Sequence, residues 1–123
     1  MGSIIKEYAE SRFSRKNMDY DVALDHLLDG IKKDYAGWTT WDEGINRFND
    51  ELSVKPGRKF DKVMKGTSVW GFVAKSNGEH KGIPYFKGDV FKAASWRAPA
   101  KHVRGSIFYD GSDWYAWTGP NYL

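Results

Sequence analysis

Pro56-Gly57 divides this chain between two periodicities that no single element can accommodate. Before the pair, apolar residues recur at helical spacing. After it, short apolar runs alternate with glycine-marked turns. Proline removes a backbone donor and glycine frees the backbone, so the two in succession end whatever precedes them. The chain therefore reads as helices first and strands second, the order of an α+β protein.

In the leading part, Ile4, Ile5, Tyr8 and Phe13 fall loosely on one face and predict a short first helix that ends near Ser14-Arg15-Lys16-Asn17. Tyr20, Leu24, Leu27, Leu28, Ile31 and Tyr35 keep a 3.6-residue rhythm and predict a second, with Asn17 or Asp19 as cap and a turn at Gly37. A third is expected from Thr40, where Thr40 and Glu43 have capping-box spacing. Its face is Trp41, Ile45, Phe48 and Leu52, and it should stop before Pro56. Gly44 inside it costs up to ~1 kcal/mol relative to alanine. These stripes are expected to be core.

Beyond Gly57 the residues favour strands. Arg58 to Met64 is a weak candidate, and Ser68 to Lys75 is the strongest. Val90 to Ala94, Val103 to Tyr109 and Trp114 to Trp117 follow, with turns at Asn77-Gly78 and Asp110-Gly111. Trp70 and Phe72 are placed on one core face. The expected architecture is two to three N-terminal helices packed on a small, strongly curved five-stranded antiparallel sheet or barrel. Residues 1–55 form the helical region and residues 56–123 a β-barrel-like domain. Closure would protect edges that such short strands otherwise expose.

Charge follows the same division. Residues 1–55 carry 8 basic and 11 acidic side chains, whereas residues 56–123 carry 11 basic and 5 acidic. A cationic domain favours anionic partners, or simply a solvated surface. The chain also holds 6 Trp, 7 Tyr and 7 Phe, so rings not needed for the core become stacking surfaces.

From Gly57 onward several pieces are shared with a known group of proteins. They are Gly57-Arg58-Lys59-Phe60, Val69-Trp70-Gly71-Phe72-Val73, Phe86-Lys87-Gly88-Asp89-Val90 and Lys92-Ala93-Ala94-Ser95-Trp96. Ala98-Pro99-Ala100, Arg104-Gly105 and Trp117-Thr118-Gly119-Pro120 complete the set. In this combination the chain resembles a C-terminal domain of uncharacterised tailed-bacteriophage proteins. The resemblance implies a phage origin and an accessory role towards host nucleic acid, host enzymes or host defences, in the host cytoplasm. It implies no chemistry.

The densest mixture of rings, cations and turn residues is Tyr85 to Ser106. Within it Lys92, Trp96, Arg97, Lys101, His102 and Arg104 make the candidate binding surface. A base stacked on Trp96 with its phosphate among the cations is the arrangement such a mixture suits. The alternative is that Trp96 plugs the barrel and the cations are merely solvated.

Catalytic and cofactor signatures are weak. The chain has no cysteine, and its three histidines, at 26, 80 and 102, lack metal-ligand spacing. Asp89, His102 and Ser106 make only a nominal triad, without a nucleophile elbow. No glycine loop of a nucleotide-binding type is present, and neither a cofactor nor a metal is expected. No apolar run is long enough to span a bilayer, and the N-terminus lacks the blocks of a secretory leader. The expected function is non-enzymatic binding of an anionic nucleic-acid ligand. The alternatives are sequestration of a small, for example cyclic, nucleotide of host defence, and inhibition of a host protein through the acidic helical half.

Overall fold

In a computed structural model, which describes residues 18–109, 111 and 113–121, two helices cover one face of a five-stranded antiparallel sheet. Helix α1 is Tyr20–Trp38 and α2 is Asp42–Glu51. The strands are β1 Leu52–Pro56, β2 Phe60–Lys65, β3 Ser68–Ala74, β4 Gly78–His80, β5 Ile83–Tyr85, β6 Asp89–Ala93, β7 Pro99–Ser106, β8 Tyr115–Ala116 and β9 Gly119–Pro120. The first expected helix, at Ile4 to Phe13, lies outside the described residues.

The stripe read on α1 is its buried face. Leu24, Leu27 and Ile31 are buried beside Ala23, and Leu28 and Tyr35 pack at their margin. The helix runs through Gly37 and ends at Trp38, one residue later than that glycine suggested. Helix α2 departs from the sequence reading at its start. The Thr40–Glu43 box does not form. Trp41 is the N-cap residue, and its own amide donates to Thr39 Oγ1 at 3.2 Å.

Helix α2 stops before Pro56, at Glu51, one residue short of the stripe that runs through Leu52. Leu52 leaves the helix directly into β1, which pairs residue for residue with β2 from Leu52↔Lys65 to Pro56↔Asp61. Leu52 is buried whether it closes a helix or opens a strand, so its spacing could not tell the two apart. Pro56, without an amide hydrogen, is tolerated because β1 is an edge.

The main sheet has the order β1-β2-β3-β6-β7 and stays open, which corrects the barrel expectation. Its outer strands, β1 and β7, do not pair. They are blunted as edges by Pro56 and Lys55 on β1 and by Lys101 and irregular pairing on β7. The fifth member is β1 rather than the Trp114–Trp117 segment. That segment instead supplies β8, which pairs only with β9. Trp70 Nε1 anchors this ribbon by donating to the Ala116 carbonyl at 2.9 Å. A second two-stranded ribbon, β4-β5, follows the turn expected at Asn77-Gly78.

Each face of the sheet has its own core. On the helix side lie Val63, Trp70, Val73 and Val90, packed against α1, α2, Ile107 and Trp114. On the other side lie Phe72, Ala74, Tyr85 and Phe91, with Phe60, Val69 and Val103 at their margin. Trp70 and Phe72 therefore face opposite ways, against the expectation that they share a face. The cause is an irregularity in the β2–β3 pairing. Val63 opposes Gly71 while Met64 opposes Val69, so Trp70 is the extra residue and the alternation resets.

Candidate functional site

One transverse row of the sheet organises the outer face. Lys55 opposes Lys62, Lys62 opposes Phe72, Phe72 opposes Phe91, and Phe91 opposes Val103. Directly opposed residues share a face, so two lysines stand side by side next to an apolar strip. Like charges so placed repel, and the sheet gains nothing from the pair itself.

The β6–β7 connection brings a ring to these lysines. Ala94 and Ser95 both donate their amides to the Ala98 carbonyl, and Arg97 N donates to Ser95 Oγ at 3.3 Å. This tight turn presents Trp96, which remains 48% exposed. Lys62 Nζ lies 3.4 Å and Lys55 Nζ 4.9 Å from the indole centroid, and Lys62 is also 5.7 Å from the Phe72 ring. The electron-rich ring face partly offsets the repulsion between the two ammonium groups.

The β1–β2 turn supplies the rest of the charge. Gly57 is required there, because a Cβ at this position would collide with the Phe60 carbonyl oxygen. Lys75 Nζ donates to the Gly57 carbonyl at 3.1 Å and lies 3.8 Å from Asp61 Oδ1, which secures the turn to β3. Arg58 and Lys59 then flank a hollow of about 360 Å³. Phe60 and Phe72 form its apolar walls, and Lys55, Lys62 and Arg97 complete its rim.

Among the described residues, five cations and no carboxylate line this hollow. Asp61, the nearest acid in sequence, is buried and accepts a hydrogen bond from the Tyr20 hydroxyl at 2.8 Å. At Lys62, partial desolvation and then the like charges of Lys55 and Arg97 hold the ammonium below the ordinary lysine pKa of 10.5. The cations of the rim make the hollow complementary to an anion.

Of the six residues singled out in the sequence, Arg97 lines the hollow, and Trp96 stands beside it against Lys62 and Lys55. Lys101 and His102 are exposed on β7 and do not line the hollow. Arg104 is half-buried further along the same strand. Lys92 follows Phe91 on β6 and approaches Gly119 of β9. Asp89 and Ser106 are paired across β6 and β7, but both are buried and engaged locally. Asp89 accepts from Phe86 N and Ser106 Oγ from Phe108 N. The residues that sequence reasoning missed are Lys55, Arg58, Lys59 and Lys62. The Lys55-Pro56-Gly57-Arg58-Lys59 run was a visible signal, but it gains meaning only once β1 and β2 are paired.

Fold and hollow together define a small α+β protein with a cationic, ring-walled depression on the sheet face opposite its helices. The chain belongs to a family of unknown function, DUF7717, whose model matches residues 5–122. No curated protein and no solved structure matches it. No helix among the described residues is long and apolar enough to cross a membrane.

Proposed function

We propose that this protein binds an anionic nucleic-acid ligand in the hollow formed by Lys55, Arg58, Lys59, Lys62 and Arg97, with a base stacked on Trp96. The observation that supports this reading most is the crowding of Lys55 and Lys62 beside one accessible indole. Two directly opposed lysines repel each other, whereas a phosphate between them relieves that repulsion and a base on Trp96 adds stacking. Among the described residues the lining holds neither a carboxylate nor a histidine to serve as general base, which favours binding over turnover. The phage setting rests on the resemblance of residues 57–120, and in a host cell the ligand would come from host or phage nucleic acid.

A second reading, a mononucleotide or cyclic nucleotide, draws on the hollow's size. About 360 Å³ lies within the range of small-molecule sites. One titration separates the two. Fluorescence anisotropy of labelled dT8 at 50 mM salt, competed with unlabelled mononucleotides and cyclic nucleotides, ranks polymer against monomer. Polymer binding that falls roughly 20- to 100-fold between 50 and 200 mM salt fits three to five phosphate contacts. Tight nucleotide binding without affinity for dT8 favours the second reading, and failure of both ligands to bind at 50 mM salt overturns the proposal.

A further inference from the structure

The cationic hollow gathers its charge at one point. Strand β1 and the turn after it contribute Lys55, Arg58 and Lys59, β2 adds Lys62, and the β6–β7 turn adds Arg97. Lys55, Arg58, Lys59 and Arg97 are exposed and Lys62 is half-buried, so the cluster is open to a ligand. The turn that carries Arg58 is fixed on both sides. Lys75 donates its amide to the Lys59 carbonyl at 3.0 Å and its ammonium to the Gly57 carbonyl at 3.1 Å. Arg58 thus stands between two anchored residues, and its backbone needs little ordering to meet an anion. Lys75 itself faces Asp61 at 3.8 Å and is not part of the lining. Among the described residues no carboxylate stands at the rim to balance the five cations.

A groove that only tracks a polynucleotide backbone spreads its cations along the chain, over roughly 4–16 nucleotides per site. Here five cations surround about 360 Å³, near the lower bound of small-molecule sites, which run from roughly 300 to 1,000 Å³. Such a space suits one nucleotide unit rather than a run of them. An internal phosphodiester brings a single negative charge to it. A terminal phosphomonoester brings about −1.5 to −2 and three strong acceptor oxygens. The monoester therefore answers more of the five cations at a single point. Its oxygens also serve the planar forks of Arg58 and Arg97, which bind phosphate through paired hydrogen bonds. A strand end has no chain beyond it on one side, so it can enter a hollow instead of lying across it. Trp96, 48% exposed beside Lys55 and Lys62, is placed to receive the last base.

We infer that the hollow takes the end of a single strand: Lys55, Arg58, Lys59, Lys62 and Arg97 hold a terminal phosphomonoester, and Trp96 stacks the base beside it. This inference rests on the proposed nucleic-acid binding and specifies which part of the strand the site takes. The experiment titrates the full chain at 50 mM salt with dT8 in four forms: plain, 5′-phosphorylated, 3′-phosphorylated, and with the preferred end phosphate closed as its methyl ester. One phosphorylated form should bind at least tenfold more tightly than plain dT8, about the effect of one added charge-assisted hydrogen bond, and it identifies the seated end. Methyl esterification leaves that phosphate a single charge and should remove most of the gain. These comparisons need no variant. Arg58→Gln should cut the preference to less than threefold, whereas Trp96→Ala should weaken plain and phosphorylated dT8 alike and change their ratio less than twofold. Equal binding of plain and phosphorylated dT8, a gain that survives methyl esterification, or a preference undiminished in Arg58→Gln would each overturn the inference and leave nucleic-acid binding standing. Absence of binding by every form would overturn both.

Discussion

The Lys62 ammonium lies 3.4 Å from the centre of the Trp96 indole, while Lys55, its neighbour across β1 and β2, lies 4.9 Å from the same ring. A residue of the edge-strand pair and a residue of the β6–β7 turn thus meet through charge and ring rather than through backbone pairing. The ring offsets part of the repulsion between two like charges that the β1–β2 pairing sets side by side.

Lys55→Gln tests that idle charge. Removing one of two opposed lysines should raise stability by roughly 0.2–1 kcal/mol, the scale of a cross-strand pair. The same change should weaken oligonucleotide binding and reduce the salt slope by about 0.7, the share of one single-strand phosphate contact. Urea unfolding and a salt titration of dT8 binding measure the two effects. A loss of stability would mean that Lys55 serves the sheet instead.

Alkaline unfolding probes the helix–sheet joint. Burial, then the hydrogen bond to Asp61 and the Asp61 charge, raise the Tyr20 phenol far above its ordinary 10.0. Tyr115 is raised as well, by burial and then by Asp34. Above pH 10 the unfolded phenols ionise while the folded ones keep their protons, so unfolding releases protons and stability falls with rising pH. Each such group contributes a slope approaching about 1.4 kcal/mol per pH unit. Tyr20→Phe should flatten the slope by one group. At neutral pH it should cost ~1–3 kcal/mol, because the buried Asp61 carboxylate loses its donor. Denaturant melts at pH 7 and between pH 9 and 11.5 check both.

Gly44→Ala separates helix propensity from ring placement. Alanine improves the first turn of α2 by no more than ~1 kcal/mol, but its Cβ displaces the Trp41 ring. Because that ring is half-exposed it can swing outward, so net stability should change by less than about 1 kcal/mol. The Trp41 indole N–H signal should move.

Much of this was written in local patterns. The α1 stripe predicted its helix because the buried residues themselves carry the period, and the run at Ser68 predicted its strand through its content of β-formers. Trp96 and Arg97 stood out because a ring among cations in a turn is a local signal. The rest depended on pairing between distant segments. Leu52 satisfied a helical period while starting a strand, which hid β1 and with it Lys55. Trp70 and Phe72 kept strand spacing while the irregular pairing opposite Gly71 turned them to opposite faces. Lys62 looked like an ordinary strand lysine until its neighbours across both pairings were known. The residues around Trp114 favoured a strand, but which sheet it joined was set by the docking of β8-β9 on Trp70.

The decisive measurement is dT8 binding by Trp96→Ala and Lys62→Gln beside the unaltered chain, at 50 and 200 mM salt. Trp96→Ala should bind roughly 5- to 100-fold more weakly with its salt slope preserved, since stacking is worth ~1–3 kcal/mol per base and carries no charge. Lys62→Gln should lose affinity and about 0.7 of the slope. Binding that is salt-dependent but unchanged in both variants would contradict a site at Trp96 and Lys62.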